Sequence, residues 1–193
     1  MQNALAVAGA LISSSGAIPY ILDIVRGKTH PNLVSWVTYS LVNVVSGFAA
    51  LSAGEPHTAI LSFFGLAATG SIAVMGIRHG VRKYTAFDIT CQVLAITGIV
   101  LWQFTGNPTI AICIAIIVEL IASLPTWRHA WIAPYAETWQ GFLLGGAGCI
   151  FTILSLSRFN FISLAFPIAV IIVNATVISI ILSRRRVQSQ PAT

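Results

Sequence analysis

One acid in this sequence stands where water has little access. Glu119 is flanked by Ile116-Ile117-Val118 and Leu120-Ile121. A carboxylate inside an apolar span costs at least about 2.5–3.5 kcal/mol even on forgiving insertion scales, so it should turn towards other helices rather than lipid. Its chemistry there is proton binding or contact with a polar solute, and the plainer alternative is a protonated carboxyl hydrogen-bonded between helices. Ser13, 106 residues earlier, begins the run Ser13-Ser14-Ser15 in another apolar stretch. Asn43 and Asn174 are amides in equally apolar surroundings, where an amide either glues helices together or holds a ligand. Asp88 opens an apolar stretch, a place where the helix dipole favours a carboxylate, and reads as a cap. Trp102-Gln103 reads as an interfacial pair that could close a cavity.

Other chemistries lack their residues. His30, His57, His79 and His129 all fall at the ends of apolar stretches or between them, so a buried nucleophile has no neighbouring base. Lys28 and Lys83 are the only lysines, and neither lies in the last stretch, where a retinal protein forms its Schiff base. Cys91, Cys113 and Cys149 are odd in number, with no paired spacing for a disulfide or a metal. No catalytic residue, cofactor or metal is expected, and the chain is read as a binder and carrier rather than an enzyme.

The elements that position these residues follow from composition. With 193 residues, 56% hydrophobic and only 8% charged, and a mean hydropathy of +0.88, the chain departs far from a soluble domain, which carries about 25% charged residues. That balance excludes a soluble enzyme, a nucleic-acid binder and a disordered tail. Since a bilayer core needs about 20 apolar residues per helix, seven spans are placed at approximately Ala4–Val25, Leu33–Ala53, Thr58–Ile77, Phe87–Phe104, Thr109–Leu124, Thr138–Leu156 and Phe161–Ser183. Short turns with breakers join them, such as Gly54-Glu55-Pro56-His57 and Thr105-Gly106-Asn107-Pro108. The expected fold is an all-α integral membrane bundle, because the runs are too long and unalternating for a β-barrel. The start Met1-Gln2-Asn3 has no basic region, so the first stretch reads as a retained helix rather than a signal peptide.

Nine of the ten Lys and Arg residues share one side in this layout: Arg26, Lys28, Arg78, Arg82, Lys83, Arg128, Arg184, Arg185 and Arg186. Only Arg158 lies opposite. Short loops obey the positive-inside rule best, so the N-terminus is expected outside and the C-terminus in the cytoplasm of a cell (inner or plasma) membrane. Tyr84, Trp127, Trp131 and Tyr135 then belong to the cytoplasmic interface, and the triple arginine reads as a stop-transfer anchor.

The chain also repeats. Pro19 and Pro125 lie 106 residues apart, Arg78 and Arg184 again 106, and the pairs Ser35-Trp36 and Thr138-Trp139 lie 103 apart. This predicts two parallel three-helix units, residues 1–85 and 107–186, joined by a linker helix over 86–106 and followed by a cytoplasmic tail at 187–193. Parallel repeats meeting at a midplane cavity are a transporter arrangement. The matched prolines are expected to act as paired cytoplasmic hinges. Gly65, Ala68 and Gly70 of the third span, and Gly141, Gly145, Gly146 and Gly148 of the sixth, should let backbones approach closely within each unit.

Pro19-Tyr20 with Arg26, Lys28 and Ser35, and Pro125-Thr126 with Arg128 and Thr138, resemble the PQ-loop pattern of a Pro-Gln pair, a basic residue and a Ser opening the next helix. PQ-loop transporters and the SWEET sugar facilitators share that pattern and the 3+1+3 layout. The Gln is replaced in both halves, by Tyr20 and Thr126. The resemblance implies alternating-access transport of a small polar solute such as a sugar or amino acid, and it points to Asn174, since SWEET-type carriers hold sugar with an Asn in the third helix of each repeat. The mate of Asn174 is Ala68, so a symmetric two-Asn clamp is not expected. The expected solute contacts are Asn174, Asn43, Ser13 and Glu119, with Glu119 also binding a proton that travels with the substrate. The expected partners are a small solute, the lipid bilayer and, in some assemblies, further copies of the chain; nucleic acid is not among them. The alternative is a non-transporting receptor or sorting protein on the same bundle.

Overall fold

The computed structural model describes residues 2–81, 84–102, 104 and 106–189. Among them the structure is helical with no strand: α1 (Gln2–Ser15), α2 (Ala17–Val25), α3 (Leu33–Ser52), α4 (Pro56–His79), α5 (Ala86–Trp102), α6 (Pro108–Ile132), a 3-10 turn at Pro134–Ala136, α7 (Trp139–Ser155) and α8 (Phe161–Ser189). Helices α1 and α2 are two segments of one continuous apolar stretch, giving seven helices among the described residues. Five of these are long and apolar enough to cross a membrane: Gln2–Val25, Leu33–Ser52, Pro56–His79, Thr109–Ile132 and Phe161–Gln188. α5 and α7 are apolar but shorter. The outside of the bundle matches a lipid surroundings, with large apolar side chains such as Ile18, Val74, Ile77, Leu154 and Ile172 exposed. Arg82, Lys83, Gln103, Thr105 and residues 190–193, all used in the expectations above, lie outside the described residues, as does the Trp102 side chain.

Local chemistry explains the boundaries. Asn32 and Asn107 cap α3 and α6 by accepting from Val34 N and from Thr109 N, at 3.1 and 2.9 Å. Gly27 and Gly54 take positive φ in the turns that end the first two spans, where a Cβ would be strained. At α5, Thr85 and Asp88 form a reciprocal capping box: Asp88 Oδ2 accepts from Thr85 N at 2.7 Å, and Asp88 N donates to Thr85 Oγ1. Asp88 Oδ1 accepts from Asn32 Nδ2 as well, tying α5 to the α3 cap. Asp88→Ala should therefore lower unfolding stability by about 1–2 kcal/mol, checked by thermal unfolding in detergent.

The two prolines behave differently. Pro19 has no N–H for the carbonyl of Ser15, four residues back, and the first span breaks at Gly16, whose N donates instead to Ser13 O. Pro125 lies inside α6, which continues to Ile132, eight residues past the expected end at Leu124. α8 likewise runs on through Arg186 to Ser189 rather than ending at Ser183.

The packing order is reciprocal. α4 lies against α1–α2 and against α3; α8 lies against α6 and against α7. Across the molecule α1–α2 pack on α7, and α3 packs on α6, while α5 leans on α6 and α3. The α3–α6 seam is filled by Val42, Val45, Ala115 and Val118. The α1–α7 seam is built from glycine: a Cβ on Gly9 would sit 2.7 Å from Gly148 O, and one on Gly141 2.9 Å from Gly16 O. Gly141 and Gly148 thus bring α7 against the first helical stretch, across the two three-helix sets, while Gly145 and Gly146 face Asn174 of α8 within their own set. Gly65 keeps its place within a set, against Asn43 of α3.

Candidate functional site

Six of the seven helices, α1–α2 counted as one, converge on one cavity, which offers about 110 Å3 to the centres of water molecules. That is room for several waters or a small solute, at roughly 10–15 Å3 for one water. Its polar lining is Ser13, Asn43, Thr69, Glu119 and Asn174, and its aromatic lining is Trp36, Tyr39, Phe142 and Phe166. The four residues expected to contact solute therefore meet at one place, although they come from α1, α3, α6 and α8. Pro19 and Pro125 do not line it.

The polar groups are held by their own helices. Asn43 Nδ2 donates to Tyr39 O and Asn174 Nδ2 to Val170 O, both at 2.8 Å. Ser13 Oγ donates to Gly145 O across the α1–α7 seam, and Thr69 Oγ1 donates to Gly65 O. Glycine opposite each amide makes the space: a Cβ at Gly65 would strike the Asn43 carboxamide, and one at Gly145 would lie 3.4 Å from Asn174 Oδ1. Each three-helix set thereby brings one carboxamide to the cavity, from its second helix in one case and its third in the other. Glu119 is buried, and its Oε2 has no hydrogen-bond partner among the described residues.

Below the cavity, towards the end that carries most of the basic residues, an aromatic layer closes it. Tyr20 meets Trp36 edge-on with ring centres 4.8 Å apart, and Phe142 at 5.8 Å. Beneath that layer Tyr20 donates to Glu137 Oε2 at 2.6 Å, and His129 Nδ1 lies 2.7 Å from Glu137 Oε1. Thr138 Oγ1 donates to Asp23 Oδ2 at 2.9 Å; that uses its single proton, so Thr29 is the donor in the 2.7 Å Thr29–Thr138 bond. All of these bonds except His129–Glu137 cross between the two three-helix sets. At the far end other bonds cross too: Thr58 Oγ1 donates to Ser163 O, and Asn160 Nδ2 donates to Glu55 Oε1 at 2.8 Å. The cavity thus lies between two sets of polar ties.

No known protein family, curated protein or solved structure matches the chain.

Sequence reasoning passed over Glu137 and Asp23. Asp23 lies near the end of α2, within the first expected span, and Glu137 follows the 3-10 turn, where an acid is ordinarily solvated, yet Glu137 is almost fully buried. The available signal was scarcity: only five acids occur in the chain, and Glu137 directly precedes the repeated Thr138-Trp139 pair. The arginines also have a structural task. Arg185 donates to the carbonyls of Pro134 and Glu137, Arg184 donates to Trp131 O, and each stacks on a ring, Tyr135 and Trp131 respectively. Two of the three basic groups thus brace the α6–α7 connection on which Glu137 sits.

Proposed function

We propose that the chain is a small-solute membrane transporter that works by alternating access around this cavity. The observation that carries the reading is the reciprocal packing: the first helix of each three-helix set lies on the second helix of the other, and the solute-sized cavity lies between them. Such a paired arrangement lets one set rock against the other about a fixed central site. In this reading the sets are parallel repeats joined by α5, and all seven spans cross the membrane. The end bearing nine of ten Lys and Arg residues faces the cytoplasm, and the N-terminus faces outward. The likeness to the PQ-loop and SWEET carriers supports the same reading. Pro19, beside the Gly16 break, and Pro125 are the candidate hinges.

The test is purified protein in liposomes loaded with a pH-sensitive dye, challenged in turn with sugars, amino acids and small cations. Solute-dependent proton movement, absent from empty liposomes, supports proton-coupled transport; flux of radiolabelled solute without proton movement supports a facilitator. No flux of any solute overturns the reading in favour of a receptor or sorting protein on the same bundle.

Glu119 is the proton site in this mechanism, as the one acid lining the cavity. The flux of Glu119→Gln, measured at saturating solute, should lose its dependence on pH. A pH profile identical to that of the unaltered protein would remove Glu119 from the coupling step.

A further inference from the structure

The lining of the cavity is one-sided in charge. Among the described residues no lysine, arginine or histidine lines it, and Glu119 is its one ionisable carboxyl. The hydroxyl protons of Ser13 and Thr69 are spent on Gly145 O and Gly65 O, and each carboxamide has one N–H spent on the turn before it. These groups keep lone pairs for a guest, on two hydroxyls (that of Thr69 also accepting from Ser40) and two amide carbonyls, a few neutral donors in one N–H of each amide and the unpartnered Trp36 Nε1–H, and one group able to carry charge, the unpartnered Glu119 Oε2. An anionic solute, or the carboxylate of an amino acid, would enter with no cation to meet it, a heavy cost for a charge taken from water. A cation finds the opposite: a carboxylate, several acceptors, and the rings of Trp36, Tyr39, Phe142 and Phe166. Aromatic walls of this kind favour ammonium groups, most of all where water is excluded.

We propose that the cavity takes a small organic monocation, a primary amine or quaternary ammonium, with Glu119 as its counter-ion. The proposal rests on the transport reading for the movement of that cation but not for its binding. It also fixes the sense of any proton coupling. A neutral Glu119 acid must release its proton to the bathing solution before the carboxylate can pair with the cation, so proton and solute alternate on one group and are exchanged across the membrane. The titratable neighbours that line the cavity with Glu119 are Tyr39 of α3 and Cys149 of α7, both ordinarily neutral. α1, α4 and α8 present Ser13, Thr69 and Asn174, and α5 contributes nothing to the lining.

The test is equilibrium binding to the full chain in detergent, by titration calorimetry with tetramethylammonium, choline, potassium, glucose, glycine and acetate. Tetramethylammonium and choline should bind, their affinity falling as pH is lowered, while glucose, glycine and acetate give no heat. Glu119→Gln should weaken choline about 30-fold or more through loss of the charge partner, and Glu119→Asp should restore much of it. Binding of glucose instead of the ammonium ions, choline binding that ignores pH and survives Glu119→Gln, or no binding by any probe overturns the proposal. Potassium binding as strongly as choline overturns the organic assignment. Choline binding without flux in liposomes would leave this inference standing and the transport reading fallen, whereas glucose flux without choline binding would do the reverse.

Discussion

Gly148→Val is expected to unfold in detergent about 10 °C below the unaltered protein, the largest loss of stability among single substitutions in the helix seams. A Cβ at this position falls on Gly9 O and within 2.5 Å of Ser13 N. Both are backbone atoms of α1, so no side chain can rotate away, and either α1 or α7 must move as a whole. Overpacking ordinarily costs about 1–3 kcal/mol, and a clash with rigid backbone belongs at the upper end of that range. Close approach of this kind is how membrane helices gain van der Waals and Cα–H contacts without a hydrophobic drive between them. Gly70→Ala is the matched control, because the nearest atom to its new methyl is Ser40 Oγ at 3.9 Å; it should be neutral or slightly stabilising by reducing the freedom of the unfolded chain. Equal melting temperatures for the two variants would show that the glycine seam is loosely packed.

That seam marks a boundary between what the sequence reveals and what only the fold can reveal. A polar residue in an apolar helix is conspicuous because burial there is costly, and on that ground Asn43, Glu119 and Asn174 stand out in the sequence alone, with Ser13 as the repeat mate of Glu119. Four separate stretches meet at one cavity because each would otherwise turn its polar group to lipid. Glycines announce close packing equally well but do not name their partner: Gly148 lies against Gly9, 139 residues away in sequence, while Gly145 and Gly146 in the same helix face Asn174 of α8. The end of α6 illustrates a different limit. A proline ordinarily predicts a boundary, yet the segment after Pro125 carries Trp127, Ala130 and His129 into contacts with the core and with Glu137, and those contacts keep it helical. Glu137 was illegible for the converse reason. A turn acid looks solvated until Tyr20, 117 positions earlier, is found with its hydroxyl on it. The carboxamides fall between these cases. Asn43 and Asn174 are each conspicuous in an apolar stretch, but position matching pairs Asn174 with Ala68, and only the fold brings Asn43, from the neighbouring helix, to the same cavity.

Tyr20→Phe is expected to open the basic end of the molecule without dismantling it. The substitution removes the one hydroxyl that donates to Glu137 Oε2 from the other three-helix set, and it keeps the ring that packs edge-on against Trp36 and Phe142. A hydrogen bond to a charged group contributes about 1.5–3 kcal/mol. If that bond forms only while this end is closed, its loss shifts the equilibrium towards opening by about tenfold or more, since 1.4 kcal/mol is one factor of ten. The readout is already in the chain. Cys149 is a free, buried thiol that lines the cavity, so a polar maleimide reaches it only when one end opens. With Cys91 and Cys113 replaced by serine, Tyr20→Phe should raise the rate of Cys149 labelling from the basic side about tenfold and leave labelling from the far side unchanged. Glu137→Ala goes further, because it strands the His129 ring and the Tyr20 hydroxyl together and breaks a buried charged network at a cost of about 3–5 kcal/mol; its melting temperature should fall by about 10 °C or more. The two variants separate a latch from a strut. A latch gives faster labelling in Tyr20→Phe with little change in melting temperature, whereas a strut gives a lower melting temperature and no change in labelling, and the second outcome would mean that the basic end is held shut by the aromatic layer alone.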